Sequence, residues 1–448
     1  MTASSQRPLW TARKTIASAG HPSGERKHMK KTVLTSLLML SSLALAEPVE
    51  VTLWVSHGNE ELNAIKQIAE NFNKKSKDIQ VKVVQVAGSE TDTAKLTTAI
   101  AGGTGPDIYM LDRFIVSERA GSGFLQPLDP YIKTQSPNIA KDYLPFAWEE
   151  TQFKGQTYAL PFDTDTRVLY YRKDILKEVG VDPSILDPKN GVPSIKLIVD
   201  IANKVNKTDD KGNYTRLGMV PWDNQGWHYT WGYAFGGDFY DEKNCKVTPT
   251  DKNVVAGFQF LYDYAKNLDP KKVQTFLSTY SGSVKGPFIT GRLAFSISGD
   301  WDIAGMKKNA PDVDYGITYI PTPNGKKVSW AGGWSLVMPR GAKNPEEAFT
   351  FMRYMAGAEG QRTYIKATSH LPTVKKLLNE KGLFDSKHTF FKNLLPYAKS
   401  RPALPVGALY WDQLTSAQGK VILNQMEPLA ALKQVEDRVN NQLRRFCK

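Results

Sequence analysis

Four aspartates have the neighbours and spacing that could do chemistry: Asp112, the pair Asp163 and Asp165 in "PFDTDTRVLYY", and Asp300. Paired carboxylates can act as the acid and the nucleophile of a glycosidase. The same groups can also cap helices, pair with neighbouring arginines, or accept hydrogen bonds from adjacent hydroxyls without reacting. The sequence gives no separation between the carboxyl groups, so these alternatives stay open.

Aromatic rings stand among polar residues in several segments, most densely in "WDNQGWHYTWGYAFGG" at 222–237. Such rings can stack on the apolar C–H faces of a sugar, while amides and carboxylates bond its hydroxyls and glycines let the backbone come close. Core packing is the alternative for some of them. The tryptophans close to Gly, Asp, Asn or Gln are Trp222, Trp227, Trp231, Trp301, Trp330, Trp334 and Trp411.

The sequence gives little support for phosphate binding, for peptidase or hydrolase chemistry, or for metal ligation. The stretch "AGGTGPD" at 101–107 lacks the G-K-[ST] ending of a phosphate loop and precedes a predicted strand, so it is interpreted as a helix stop. The H-E-x-x-H, G-x-S-x-G and C-x-x-C motifs are missing from the sequence. His57 and His228 lie in candidate segments, where hydrogen bonding is favoured over metal ligation. We therefore expect no metal and no cofactor.

Of the net charge of +13, residues 1–46 contribute +6, from seven Lys or Arg and one acid, so only +7 is spread over the other 402 residues. The remaining positive charge is diffuse, whereas a nucleic-acid site needs clustered charge. We expect no nucleic-acid partner.

The N-terminal segment is typical of export. "MKKTVLTSLLMLSSLALA", at 29–46, has a charged start, a short apolar run and an A-x-A ending, which predicts a signal peptide cleaved before Glu47. The apolar run is shorter than the ~20 residues of a membrane-spanning helix. Residues 1–28 resemble no targeting element, which suggests that translation starts at Met29. The mature protein is predicted to be soluble, in the periplasm or outside the cell envelope.

Two cysteines, Cys245 and Cys447, remain after the leader. An oxidising compartment permits a disulfide between them. The sequence does not show whether they meet.

Strand-like and helix-like segments alternate after the leader, which predicts an α/β fold with mostly parallel sheets flanked by helices. The alternating segments are 51–55, 60–74, 79–86, 91–103 and 106–111. Polar clusters follow predicted strands at 56–60, 112–114 and 299–301. Because ligands bind beyond the carboxyl ends of strands in such sheets, these clusters are predicted to meet in one cleft.

Ordered motifs along nearly all of 47–448 resemble the maltose-type extracellular solute-binding proteins of sugar ABC transporters. The motifs are "VTLWVSHGNEELNAIKQIAENFNKK", "GGTGPDIYMLDRF", "YALPFDTDTRVLYYRKDIL", "GRLAFSISGDWDIAGM", "GGWSLVMP" and "ALYWDQL". The resemblance implies a two-lobed periplasmic-binding-protein fold with its ligand cleft at the hinge. An N-terminal lobe would comprise 47–164 and about 337–385, and a C-terminal lobe 165–331 and about 390–448.

The resemblance also implies roles for individual residues. Asp112 and Arg113 would bind sugar hydroxyls, Asp165 would be the carboxylate of the first crossover, and Trp301 and Trp411 would be stacking platforms. Within 222–237, Trp231 best matches the family's aromatic wall, while Trp222, Tyr233 and Phe235 are interpreted as packing. The full predicted set is His57, Glu60, Asp112, Arg113, Asp163, Asp165, Trp227, His228, Trp231, Asp300, Trp301, Gly333, Trp334, Arg401 and Trp411.

The function so implied is a monomeric receptor, not an enzyme, that closes on a carbohydrate and is read by a membrane-embedded ABC permease. The number of aromatic residues favours a di- or oligosaccharide, such as an α-glucoside. "SHGNE" replaces the usual polar turn of maltose-binding protein, which leaves the particular sugar open. The alternatives are a binder of another small solute such as a glycerol phosphodiester, a secreted glycoside hydrolase, and a scaffold or adhesion module.

Overall fold

The computed structural model describes residues 47–88, 94–281 and 285–447. The predicted signal peptide and the segment before it lie outside the described residues. Among the described residues, no helix combines the length and hydropathy that a membrane crossing requires.

Most strands are short, and the longest lie in two five-stranded sheets. The strands in the described part are β1 (Val49–Val55), β2 (Ile79–Gln85), β3 (Ile108–Asp112), β4 (Gln152–Phe153), β5 (Gln156–Thr157), β6 (Ala159–Pro161), β7 (Asp163–Thr164), β8 (Arg167–Arg172), β9 (Lys207–Thr208), β10 (Tyr214–Met219), β11 (Tyr240–Asp241), β12 (Lys246–Val247), β13 (Leu293–Gly299), β14 (Tyr315–Thr318), β15 (Ser329–Ala331), β16 (Trp334–Val337), β17 (Leu371–Pro372) and β18 (Ala398–Ser400).

Helices separate most of these strands. They are α1 (Asn59–Lys75), α2 (Ala94–Ala101), α3 (Val116–Gly121), α4 (Asp129–Gln135), α5 (Pro145–Glu149), α6 (Lys173–Glu178), α7 (Ile195–Val205), α8 (His228–Ala234), α9 (Lys252–Lys266), α10 (Pro270–Ser278), α11 (Asp302–Asn309), α12 (Pro345–Met355), α13 (Ala358–Thr368), α14 (Ser386–Lys392), α15 (Gly407–Ile422) and α16 (Pro428–Leu443). Short 3₁₀ turns lie at Arg113–Ile115, Ile139–Asp142, Pro183–Leu186, Pro188–Asn190, Lys375–Asn379 and Leu395–Tyr397.

The first sheet has the strand order β2-β1-β3-β16-β6. The pairs β1–β2 and β1–β3 are parallel, as the strand–helix alternation predicts, with Leu53 opposite both Val83 and Ile108. Strand β16 enters from a distant part of the chain and pairs antiparallel with β3 and with β6.

The second sheet has the order β14-β8-β13-β10-β9. Its β10–β13 pair is parallel, whereas β8 pairs antiparallel with β13 and β14. Both sheets thus contain more antiparallel pairing than the sequence predicted. Most of the antiparallel pairing involves β8 and β16, which the chain adds as it passes from one sheet to the other, and the edge strand β9 is antiparallel to β10.

Amphipathic helices cover the sheet faces. In α1, the apolar residues at helical spacing, Leu62, Ile65, Ile68 and Phe72, are all buried in one core with the alternating residues of β1. Burying one such aliphatic side chain contributes about 2 kcal/mol. Two acids in the first turn of α1 and two lysines in its last turn complement the helix dipole.

On the second sheet, α7 packs against β10 and β13. The helices α9, α15 and α16 contribute to a core that also contains Trp231 and Phe295. A disulfide joins Cys245 to Cys447, with their Cα atoms 6.0 Å apart. This bond ties the chain beyond α16 to the turn between β11 and β12 and settles the pairing that the sequence left open.

Candidate ligand-binding site

A cavity of about 400 Å³ lies where the two sheets face each other, at the ends of β1, β3 and β13 and beside the crossing segments 162–166 and 332–333. This volume lies in the lower part of the range of small-molecule sites, roughly 300–1,000 Å³. Its walls are Ser56, His57, Gly58, Glu61, Gly88, Asp112, Asp165, Arg167, Gln225, Trp227, Trp301, Trp330, Gly333, Trp334, His370, Arg401 and Trp411.

Nine of the fifteen predicted residues line this cavity, although they come from eight separate stretches of sequence. They are His57, Asp112, Asp165, Trp227, Trp301, Gly333, Trp334, Arg401 and Trp411. The polar turn after β1 and the residues after β3 and β13 meet here, as expected for residues that follow strands of such sheets.

Five tryptophans form the aromatic part of the walls. Trp411, on α15, packs against Trp227 with ring centroids 5.3 Å apart. Trp334, at the start of β16, meets the edge of the His57 ring at 4.2 Å. Trp301 follows β13, and Trp330 lies on β15 under the Arg167 guanidinium, 3.5 Å from it. Aromatic surface is therefore present on both sides of the cavity.

Buried ion pairs supply the polar part of the walls. Arg401 donates from Nη2 to both oxygens of Asp112, at 2.6 and 2.9 Å. Arg167 pairs with Asp165, whose Oδ1 also accepts from the backbone N–H of Gly332 at 2.6 Å. Each guanidinium in the wall thus has its own carboxylate, and the described wall residues include no uncompensated cation for an anionic ligand.

His57 presents a neutral imidazole. Its side chain is buried, and burial lowers its pKa to about 4. Neither of its ring nitrogens has a hydrogen-bond partner within residues 47–88, 94–281 and 285–447. A neutral imidazole offers one donor and one acceptor, which is the pattern that a hydroxyl group can satisfy.

His370 has the opposite protonation. Burial alone would lower its pKa, but the charge of Asp163, the hydrogen bond to Glu61 and the charge of Asp300 raise it to about 10. Its Nε2 lies 3.3 Å from Glu61 Oε1, and its Nδ1 lies 3.5 Å from Asp163 Oδ2 and 3.7 Å from Asp300 Oδ1. The ring is stacked near those of Trp301 and Tyr364. An imidazolium therefore lies among three carboxyl groups at one end of the cavity.

Three of the predicted polar contacts lie behind the wall. Arg113 is buried, donating to Glu150 at 2.7 Å and to the carbonyls of Asp163 and Gly332. It therefore holds the two crossing segments together where the sequence predicted a contact with hydroxyls. Asp163 accepts from the Trp334 backbone N–H at 2.6 Å, and Asp300 is fully buried behind His370.

The prediction that Trp231 faces the ligand is wrong. Its ring is fully buried, its Nε1 donates to the Pro221 carbonyl at 2.7 Å, and it packs on Phe260 of α9. The helix α8 is buried on every side, so its rings form the core of the second sheet. A Cβ on Gly257 would lie 2.6 Å from the Trp231 carbonyl, so that glycine serves the contact between α8 and α9.

Two further predicted contacts lie away from the cavity. His228 is fully buried, with its Nε2 3.4 Å from the Thr415 hydroxyl and its ring against Trp411, so it supports that platform from behind. Glu60 lies at the outer rim, where it pairs with Lys308 of α11. It lines a separate shallow cavity on that side.

Gly333 carries a backbone conformation that other residues rarely adopt, with φ of 134°. A Cβ at this position would collide with Arg113 Nη1 and with the Asp163 carbonyl. The glycine therefore allows the second crossing segment to pass directly over the first.

Sequence reasoning missed several wall residues: Glu61, Gly88, Arg167, Gln225, Trp330 and His370. Ser56 and Gly58 lie in the cluster 56–60 that was predicted to reach the cleft. Two of the missed residues could have been found from the sequence. Trp330 is one of the tryptophans that lie close to polar residues or glycine, and Arg167 is two positions from the predicted Asp165. His370 could not have been found, because it follows a helix and reaches the cavity only through tertiary packing.

Within the described residues, no group of three or more His, Cys, Asp or Glu side chains is arranged to hold a metal ion.

The chain belongs to the family of bacterial extracellular solute-binding proteins, whose sequence model matches residues 58–362. Among curated relatives, it is 23% identical to the maltotriose-binding protein of Pyrococcus abyssi, covering 83% of this chain and 77% of that protein. It is 24% identical to the galactooligosaccharide-binding protein of Bacillus subtilis, covering 88% and 90%.

Solved structures show the same two-lobed fold. The GacH receptor of Streptomyces glaucescens, whose structures include a complex with acarbose, aligns with a TM-score of 0.72 at 26% identity over 89% of this chain and 99% of its own. The mannobiose complex of CpMnBP1 aligns with a TM-score of 0.75 at 23% identity, over 87% of this chain and 99% of that one. The implied fold class and family are thereby confirmed.

Proposed function

We propose that this protein is an extracytoplasmic receptor that captures a neutral di- or oligosaccharide by hinge closure and delivers it to a membrane-embedded ABC permease. The observation that carries the proposal is one cavity, between two sheets, in which five tryptophan rings alternate with compensated carboxylate–guanidinium pairs. The named relatives that bind maltotriose and galactooligosaccharides support the same ligand class.

The charge pattern favours a neutral sugar over a phosphodiester. A phosphate ligand needs guanidinium or ammonium groups that are free to pair with it. Arg113, Arg167 and Arg401 each already pair with a carboxylate. A sugar, by contrast, presents apolar faces to the rings and hydroxyls to oxygens and N–H groups, and it brings no charge to compensate.

Hinge closure is supported by the way the chain crosses between the sheets. Short segments at 162–166 and 332–333 connect them, and cleft contacts such as Asp112–Arg401 join residues on opposite sides. A ligand that contacts both sides favours the closed state by its differential affinity. In this proposal the N-terminal lobe comprises 47–164 and about 337–385, and the C-terminal lobe comprises 165–331 and about 390–448.

The proposal includes export with removal of 29–46, a monomeric state and no catalysis. A thermal-shift screen over mono-, di- and oligosaccharides, polyols and glycerol phosphates tests the ligand class, because a ligand stabilises the fold by RT ln(1 + [L]/Kd). We expect a di- or oligosaccharide to raise the melting temperature most. Stabilisation by glycerol phosphates alone would contradict the proposal.

Catalysis is tested separately. The saccharide that binds is incubated with the protein, and its reducing ends are measured over time. We expect no release. Accumulation of free reducing ends that is lost in Asp163→Asn would establish the glycoside hydrolase instead.

A further inference from the structure

Asp300 carries a buried carboxyl group that accepts no hydrogen bond from the part of the chain that the structure describes. Both of its oxygens are buried without a hydrogen-bond partner among the described residues, and the side chain has no exposed surface. Burying an ionised carboxylate in this way is far more costly than burying a protonated one. The geometry around Asp300 therefore favours the neutral acid in the state described here.

One ring N–H faces two carboxyl groups. His370 Nδ1 lies 3.5 Å from Asp163 Oδ2 and 3.7 Å from Asp300 Oδ1, while its other nitrogen faces Glu61. A single Nδ1–H can compensate only one of the two carboxylates. Asp163 also accepts from the Trp334 backbone, whereas Asp300 has no second donor, so Asp300 is the group left to hold a proton.

The pair His370–Asp300 spans the cleft. His370 follows α13 and is joined through Glu61 to α1, which covers the first sheet. Asp300 follows β13, a central strand of the second sheet. Opening of the cleft would separate the two residues and let water reach the Asp300 carboxyl group, which in water is an ordinary acid.

We infer that closure of this protein on its ligand takes up a proton at Asp300, so that ligand affinity falls as the pH rises. The inference rests on the proposed function, because closure on a saccharide is the event that buries the carboxyl group. It goes further in coupling capture to the proton concentration outside the cell.

Of the charged groups around His370 and Asp300, some raise the pKa of Asp300 and others lower it. Desolvation raises the pKa of Asp300 well above its ordinary value, and Asp165 and Asp163 add to this, while the charges of His370 and Arg167 oppose it. His370 is faced by Glu61 from α1, Asp163 from the crossing segment, Tyr364 from α13, and His388 from α14. His57, before α1, is neutral over most of the working range because its pKa is about 4.

The shift in the pKa of Asp300 determines whether ligand affinity rises or falls with pH. The closed-state pKa of Asp300 is above its open-state pKa, so between the two values closure binds a proton and a fall in pH favours closure. His370, whose pKa is raised to about 10, keeps Asp163 and Glu61 beside it on its own side of the cleft, so at pH 7.5 it is protonated in both the open and the closed state and adds nothing to the uptake. Below the ordinary pKa of an aspartate, the affinity becomes independent of this group.

The test is calorimetric titration of the full mature protein at pH 7.5 with the saccharide that stabilises it most, in phosphate and in Tris. These buffers differ in ionisation enthalpy, so the difference in binding heat gives the number of protons taken up. We expect a value close to one for the wild type and close to zero for Asp300→Asn, whose amide mimics the protonated acid. Asp314→Asn, at an exposed ion pair with Lys177, is the matched control and should keep the wild-type value.

A second measurement does not depend on the variant. The wild-type Kd should rise between pH 6 and 9 by up to tenfold per pH unit, which is the limit for one linked proton. Saccharide binding with no net proton uptake in the wild type, or with equal uptake in Asp300→Asn, would overturn this inference alone. An absence of binding by every saccharide would overturn the proposed function and this inference with it.

Discussion

The guanidinium of Arg401 donates from Nη2 to both carboxylate oxygens of Asp112, at 2.6 and 2.9 Å, and both side chains are almost fully buried. Arg401 follows β18, which pairs with β15, while Asp112 ends β3 of the first sheet. The pair therefore fixes the position of the carboxylate that the family resemblance assigns to sugar hydroxyls.

Removal of Arg401 should destabilise the fold. Arg401→Met removes the guanidinium that lies over Phe114 and leaves the buried Asp112 carboxylate without this cation, which costs about 3–5 kcal/mol in comparable pairs. The free energy of unfolding from denaturant titration measures this loss. The double variant Arg401→Met with Asp112→Leu should lose less than the single variant, because no charge is then left uncompensated. A larger loss in the double variant would show that the pair itself is strongly stabilising.

The tryptophans should divide into two groups with different effects. Trp301→Ala removes a ring from the cavity wall and should weaken saccharide binding by about 2 kcal/mol, roughly 30-fold, with little change in stability. Trp231→Ala, in the core, should lower stability by about 3–5 kcal/mol. Trp231→Phe, which keeps the fold, should leave the Kd within twofold.

Calorimetry and denaturant unfolding of the same three proteins separate these effects. A large loss of affinity in Trp231→Phe would instead show that Trp231 contacts the ligand.

The disulfide should contribute to stability without affecting the site. Cys245 and Cys447 are 202 positions apart, so the bond closes a very long loop of the unfolded chain. The chain-entropy model gives a contribution of about 5 kcal/mol for such a loop, which is an upper value. We expect reductant, or the pair of changes Cys245→Ser and Cys447→Ser, to lower the unfolding midpoint. The Kd at 25 °C should not change, since neither cysteine lines the cavity.

Acid should destabilise the protein through its buried neutral histidines. Burial, together with the nearby charge of Arg401, lowers the pKa of His228 to about 3, against about 6.5 in the unfolded chain. As the pH falls below 6.5, the unfolded state binds a proton that the folded state does not, so the free energy of unfolding decreases. His57, with a pKa of about 4, adds in the same direction.

The variant His228→Gln removes one of the imidazole groups that bind a proton only in the unfolded state. Its free energy of unfolding should fall less steeply between pH 6 and 4, by up to about 1.4 kcal/mol per pH unit. The acid dependence of urea unfolding measures the slope. An unchanged slope would mean that His228 is charged in the folded state.

Much of the fold could be predicted because local pattern and tertiary packing agree. The helical spacing at 60–74 became α1, and the apolar runs at 51–55 and 79–86 became β1 and β2. The polar residues after β1, β3 and β13 reached one cavity because the sheets bring strand ends together. The antiparallel entry of β16 could not be predicted, since its partners β3 and β6 are far away in sequence.

The site was predicted less well where a residue's type suits two environments. The rings at 228–234 have the composition of an aromatic cleft wall, yet α8 is buried on all sides. The nearby Gly257 allows α9 to approach α8 closely, and it does not serve the approach of a ligand. His370 shows the converse case: its role comes from Asp163, Asp300 and Glu61, none of which is near it in sequence.

Strand β16 lies between β3 and β6, so the first sheet is continuous only when residues 334–337 are in place. A chain that is still emerging, from a ribosome or through a membrane, cannot complete this sheet until more than two hundred residues after β3 have followed. Contacts of such long sequence separation form slowly. The order of the strands thus delays final folding until most of the chain has been delivered, which suits the proposed export across a membrane in an unfolded state.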